Sequence, residues 1–201
     1  KAGSRRKSHV FLLPSLFYLL PSFLADMVKC YLMPISPYLK NLRGFVGKDL
    51  LLVPGTAAIV RNERGDVLLQ RRSDNGQWGL LGGATDPDES PAQTVVREVY
   101  EEAGLRVRPV RCTALIHLDT VYPNGDHLQP TVAVFECEIV SGELKSLDGE
   151  SLELRFFAPG DLPASPSLEP YPKELFARDY TKFYFEWKEE WLGNLGMGNE
   201  G

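Results

Sequence analysis

Cysteine is scarce in this chain: three in 201 residues, Cys30, Cys112 and Cys137, an odd number without the paired spacing of a zinc site. A disulfide framework is thereby excluded, and a reducing, cytoplasmic compartment is favoured. Histidine is as sparse, with His9, His117 and His127 scattered and no ligand pattern beside them, so each reads as a surface or packing residue. Positive charge is in deficit. Twenty-two Lys and Arg against 27 Asp and Glu give a net charge of −5, which argues against general binding to nucleic acid. A small nucleotide that brings its own cation remains compatible. Nor does any apolar run reach the roughly 20 residues that cross a bilayer. The nearest, at 10–25, follows the basic RRK at 5–7 and is interrupted by Pro14 and Pro21, with no clean cleavage site after it. A membrane-associated segment through residues 8–25 is the alternative to a cytoplasmic location.

The chain does have an apolar fraction of 43%, enough for one core, and no internal repeat or long low-complexity tract. From about Gly47 the pattern is regular. LLVPGTAAIV and DVLLQRR are two apolar, β-rich runs joined by the turn RNERG, as in a hairpin. RVRPVRCTALIHL and PTVAVFECEIV form a second pair around YPNGD, whose NGD is first of all a tight-turn signal, and LELRFF is a further strand. With a helix between the pairs the order is β-β-α-β-β-β. The lack of regular βαβ alternation predicts an α/β fold with a mixed sheet flanked by helices. A final helix is expected from about Lys173 to Trp191, because Phe176, Tyr180, Phe183, Tyr184, Trp187 and Trp191 recur at helical spacing. Such a stripe suits core packing, or the contact of a homodimer, better than base stacking.

The central helix carries the chemistry. Ser90 is placed to cap it, Pro91 stands at its first position, Gln93 completes an S-x-x-Q capping box and Gly104 supplies a left-handed stop. Ala92, Val95, Val96, Val99 and Ala103 form its apolar stripe. Glu98, Glu101 and Glu102, at i, i+3 and i+4, crowd another face. Like charges this close repel and raise one another's pKa, a cost removed by a cation between them. An all-oxygen set suits magnesium, manganese or calcium better than zinc.

Gly83, Glu89, Arg97, Glu98, Val99, Glu101, Glu102, Gly104 and Leu105 together spell G-x5-E-x7-R-E-U-x-E-E-x-G-U, with U a bulky aliphatic residue. In this the chain resembles the Nudix hydrolases. A solvated acidic helix face would explain the glutamates but not Arg97, Glu89 and both glycines as well. The resemblance implies the Nudix fold, an α/β/α sandwich, and Mg2+-dependent (Mn2+ as substitute) attack of water on phosphorus in a nucleoside diphosphate linked to a further group X. ADP-ribose, a nucleotide sugar or a nucleoside triphosphate are the substrate classes it allows.

By the same resemblance Glu98, Glu101 and Glu102 are metal ligands, joined by the Gly83 carbonyl and by a carboxylate from the loop before the last strand. Glu150 is preferred there to Glu153, which falls within the strand. Glu98 is the first choice of general base, and Arg97 orients it; an ordinary helix-surface pairing of Arg97 with Glu101 is the alternative. Glu89 is expected to support the loop rather than bind metal. Arg71 and Arg72 are candidates to meet phosphates, although strand neighbours alternate faces. Trp78 and Tyr122 are candidates to stack on a base or ribose, with loop packing the alternative for Trp78. Many relatives have proline where this chain has Leu81, which leaves the acids intact and bears on loop geometry. Met33 onward reads like the opening of bacterial Nudix enzymes, a short polar helix leading into the first strand. The expected division is therefore 1–32 upstream of the functional start, a domain at 33–192 and a tail at 193–201. A Nudix-fold nucleotide sensor without turnover is the competing function, and its usual mark, loss of catalytic glutamates, is missing here.

Overall fold

A computed structural model describes residues 36–122 and 124–193. The expectations for 1–32 and for most of 193–201 lie outside the described residues.

The chain enters through helix α1 (Pro37–Val46), capped by Ser36, whose Oγ accepts from the Leu39 amide, and led by a proline. This is the short helix expected before the first strand. Strand β1 (Leu51–Arg61) and strand β2 (Val67–Arg72) then flank the RNERG turn and meet antiparallel at Arg61 and Val67. Strand β3 (Trp78–Gly79), helix α2 (Pro91–Ala103), strand β4 (Leu105–His117), strand β5 (Thr120–Val121), strand β6 (His127–Gly142) and strand β7 (Ser151–Phe157) follow. A 3-10 turn (Lys173–Phe176), strand β8 (Tyr184–Phe185) and the short helix α3 (Glu190–Gly193) complete the described chain.

The sheet is mixed, in the order β3-β2-β1-β6-β4-β8, with β5 on β6 and β7 on β2. β1 lies parallel to β6 along its whole length, β4 antiparallel to β6, and β7 antiparallel to β2. Both faces are covered, which explains why LLVPGTAAIV reads as nearly continuous apolar sequence. Ala57, Ile59, Val67 and Leu69 point to one core with Leu168, Tyr171, Leu175 and Phe176. Their neighbours Ala58, Val60 and Leu68 point to the other, against Val95, Val99 and Ala103 of α2.

Helix α2 keeps its expected ends. Ser90 and Gln93 form a reciprocal capping box, and Gly104 closes the helix in the left-handed conformation at φ 68°. Its packing face is narrower than expected: Val95, Val99 and Ala103 are buried, Val96 is half-buried and Ala92 is exposed, while Glu102 goes into the interior.

The helix expected from Lys173 to Trp191 is absent. In its place are the 3-10 turn, extended chain and the two residues of β8, which lie parallel to β4 at Ala114 and Leu115. A pair of arginines holds the non-helical path: Arg61 donates to the carbonyls of Leu175, Phe176 and Ala177, and Arg111 to those of Tyr180 and Lys182, which ties the segment to β1 and β4. Glu136 holds both guanidinium groups, at 2.9 Å from Arg61 Nε and 2.8 Å from Arg111 Nε. The aromatic spacing has a second reading in which Phe183 and Phe185 face solvent and Tyr184, half-buried between them, packs on the core. Among the described residues no helix is long and apolar enough to cross a membrane.

Candidate active site

The loop before α2 is stitched to β1. The amides of Thr56, Ala58 and Thr85 donate to the carbonyls of Gly83, Leu81 and Pro54, at 2.9, 2.8 and 3.1 Å. Leu81 is fully buried in the core under α2 and bridges Ala58 of β1, so packing fixes the loop at this position. Gly82 takes φ +146°, and a Cβ there would lie 2.1 Å from the Thr56 carbonyl oxygen. Only glycine fits. At Gly83 a Cβ would come within 2.5 Å of Glu98 Oε1, so the bare backbone leaves the room that the carboxylate occupies.

Arg97 organises the outer side. Its Nε and Nη2 donate to the two oxygens of Glu89 at 2.7 and 3.0 Å, its Nη1 to Glu98 Oε1 at 2.8 Å and Glu101 Oε2 at 3.0 Å, and Nη2 also reaches the Ala84 carbonyl at 3.3 Å. The two contacts offered as alternatives for Arg97 therefore coexist: it meets Glu98, and it pairs with Glu101 one turn on. Glu89 supports the loop, accepting from Arg97, the Thr94 hydroxyl and the Asp86 amide. The Arg97 hydrogen bonds, with that of Thr94, hold its carboxyl down at about 2 against the cost of burial.

Glu98 and Glu102 are shifted the other way. Burial pushes Glu98 up to about 7 despite Arg97, with Glu101 and Glu150 adding to the rise. Glu102 is 2% exposed and is pushed up to about 8, chiefly by burial, although Gln70 and the Gly82 amide donate to its two oxygens at 2.6 and 2.7 Å. Glu98 raises it further. Glu150 is raised by burial and by Asp148, and Glu101 contributes. Glu98 is thus coupled to Glu101, Glu102 and Glu150, with Arg97 and Arg72 the opposing charges. Among the described residues no three His, Cys, Asp or Glu side chains converge as a metal cluster, and Arg97 is paired with both Glu98 and Glu101.

The remaining candidates divide. Arg72 is largely enclosed and grips Asp74 through two hydrogen bonds, 3.0 and 2.8 Å, with Tyr122 beside it. Arg71 turns toward Glu153 at 3.9 Å, and its buried Nε has no partner. Glu153 lies in β7, as its place in LELRFF implied, while Glu150 precedes that strand and its carbonyl accepts from the Ser73 amide. Trp78 follows its packing alternative: its ring meets Phe157 edge-on at 5.0 Å, with the Arg155 guanidinium 5.6 Å from its centroid. Asp126 and Asn124 close the NGD turn around Gly125 at φ +86°, and the Tyr122 amide donates to the Asp126 carbonyl. Sequence reasoning passed over Gln70, Gly82 and Ser151. The sign for Gln70 was present, because two residues after buried Leu68 it falls on the core face of β2.

The NUDIX domain family model matches residues 51–179, well over half of the chain, and spans every element just described around the site. The chain belongs to the Nudix hydrolase family. It is 36% identical over 106 residues to a MutT-like protein of Streptomyces ambofaciens, an alignment covering 53% of this chain and 64% of that one. A putative 8-oxo-dGTP diphosphatase 3 of Mycobacterium tuberculosis is 40% identical over 112 residues, covering 51% of this chain and 50% of the other. This Nudix chain thus spans about half to two thirds of the length of these curated relatives. Among solved structures, an ADP-ribose pyrophosphatase of Streptococcus suis superposes with a TM-score of 0.51 at 27% identity, covering 66% of this chain and 98% of that one. The mixed sheet, with α2 on one face and the 3-10 turn and its adjoining chain on the other, is accordingly the Nudix fold.

Proposed function

We propose that this chain is a Mg2+-dependent pyrophosphohydrolase that cleaves a nucleoside diphosphate linked to a further group. The observation that carries the reading is the placement of two buried carboxyls on the Gly82–Gly83 loop, Glu98 against the bare Gly83 backbone and Glu102 on the Gly82 amide, both held above their ordinary range chiefly by burial. A hard divalent cation fits this set: the donors are all oxygen, and the bare Gly83 backbone gives a close approach that a side chain would fill. Glu98, Glu101 and Glu102 would hold it, with the Gly83 carbonyl and Glu150 as further donors; Mn2+ would substitute for Mg2+. When bound, such an ion neutralises phosphate charge and makes water more acidic.

The chain's own residues do the rest. Glu98 accepts the proton of the attacking water as its oxygen bonds to phosphorus and the anhydride P–O bond breaks, releasing two phosphorylated products. Arg97, itself fixed by Glu89, keeps the Glu98 carboxylate aimed at the Gly83 cradle. Arg72 and Tyr122 border the site and are the residues to meet phosphate and nucleoside; Arg71, half-exposed, is the outer candidate. The names of the relatives support a soluble nucleotide, with 8-oxo-dGTP and ADP-ribose the first compounds to try. Free Cys112 and Cys137 fit a cytoplasmic setting. The domain limits proposed are 33–192, because α1 and the chain beyond 179 dock on the matched region through Arg43 and Arg111.

The test is product release from a panel of nucleoside diphosphate derivatives and nucleoside triphosphates, with Mg2+ and with chelator, for wild type and Glu102→Gln. Cleavage by magnesium-loaded wild type alone supports the reading. Nucleotide binding without any turnover overturns it in favour of a sensor.

A further inference from the structure

Gln70 is an anomaly in the core. It is 1% exposed, on the α2-facing side of β2, where Leu68 one step earlier is apolar. A buried amide costs free energy unless every polar atom finds a partner. Here every one does. Nε2 donates to Glu102 Oε1 at 2.6 Å and to the Leu80 carbonyl at 3.4 Å, and Oε1 accepts from the Ser151 hydroxyl at 2.7 Å. The Ser151 hydroxyl also lies 3.4 Å from the Glu102 carbonyl oxygen. A methionine or leucine would fill the same volume without any of these demands.

The three residues come from three elements. Gln70 is on β2, Ser151 opens β7 and Glu102 ends α2, so the chain of contacts Ser151 to Gln70 to Glu102 crosses from an outer strand to the helix. The direction of the amide matters. Because Ser151 donates to Oε1, the NH2 group is the end that faces Glu102, and the Gly82 amide takes the second carboxylate oxygen at 2.7 Å. Both donors are neutral and fixed. They set the plane of the carboxylate without cancelling its charge, as an arginine or lysine in the same place would.

We propose that Gln70, oriented by Ser151, is the positioning residue that presents Glu102 to the divalent cation, and that this contact governs cation affinity. The inference rests on the metal role proposed for Glu102. A ligand held in its binding rotamer loses no freedom when the ion arrives, and partners behind metal ligands commonly change affinity by about 10- to 100-fold.

The test is Mn2+ binding to the full chain without nucleotide, followed by paramagnetic resonance of the free ion, with thermal melts in parallel. Gln70→Met should weaken Mn2+ binding about tenfold while leaving the melting temperature close to wild type. Ser151→Ala should weaken it by a smaller factor, and its effect should vanish in the Gln70→Met background because it acts only through the amide. Unchanged affinity in Gln70→Met and Ser151→Ala, beside a clear loss in Glu102→Gln, overturns this inference alone. Unchanged affinity in Glu102→Gln overturns it together with the metal role of Glu102. If Gln70→Met does not fold, Ser151→Ala decides, and wild-type affinity there overturns the proposal. A lowered melting temperature with unaltered affinity marks a structural role only and likewise overturns it.

Discussion

Burial makes Glu98 and Glu102 release their protons at higher pH in the folded than in the unfolded chain. Their folded pKa values, about 7 and about 8, stand above the ordinary 4.5, so the stability linked to these groups is fully present below 4.5 and is lost as pH rises through 7 and 8. The melting temperature of the metal-free protein, measured in chelator from about pH 5 to 9, should therefore fall across that window, and Glu98→Gln should flatten its lower part. A profile that rises or stays level would contradict the burial described here. Glu89 works in the opposite sense: its contribution is complete above 4.5 and is lost only as pH falls toward about 2. The two glycines of the loop separate fold from chemistry in the same way. Gly82→Ala drives a Cβ into the backbone of Thr56 at a φ that side chains avoid, and should cost several kcal/mol in denaturant melts. Gly83→Ala drives a Cβ into the Glu98 carboxyl group and not into backbone, so it should cost less stability than Gly82→Ala while turnover collapses.

Helix α2 and the segment after Lys173 show what local pattern does and does not determine. In α2 the cap, the first-position proline, the capping box and the left-handed stop are all short-range signals, and each is found where the sequence places it. The last segment has helical spacing of aromatics but no cap signal, and its carbonyls are captured by Arg61 and Arg111 from strands more than 60 residues away in sequence. No window of sequence displays those long-range contacts. Glu136 is the keystone, since it fixes both arginines at once. Glu136→Ala should destabilise by about 2–3 kcal/mol and make the chain between 175 and 182 the first site of limited proteolysis. Unchanged digestion there would show that the arginines hold the segment unaided.

For the whole molecule, the alternation of apolar residues made the strands legible, and the motif marked out the family and the helix that carries the candidate acids. The parallel pairing of β1 with β6 was not, because a continuous apolar run marks a strand buried on both faces without naming its neighbour. Nor was the inward turn of Glu102, whose spacing on a helical wheel places it with Glu98 and Glu101; the donors that receive its carboxyl, Gln70 on β2 and the Gly82 amide, come from other elements. The architecture joins these parts: β1 fixes the loop, α2 carries the acids and β2 and β7 brace them from behind. The measurement that bears most directly on the proposed activity is steady-state hydrolysis of the best nucleotide of the panel by wild type and Glu98→Gln, with and without Mg2+. Turnover should require the cation and fall by about 10²- to 10⁴-fold in the variant while its fold is retained. Undiminished turnover in Glu98→Gln, or cleavage that persists in chelator, would contradict it.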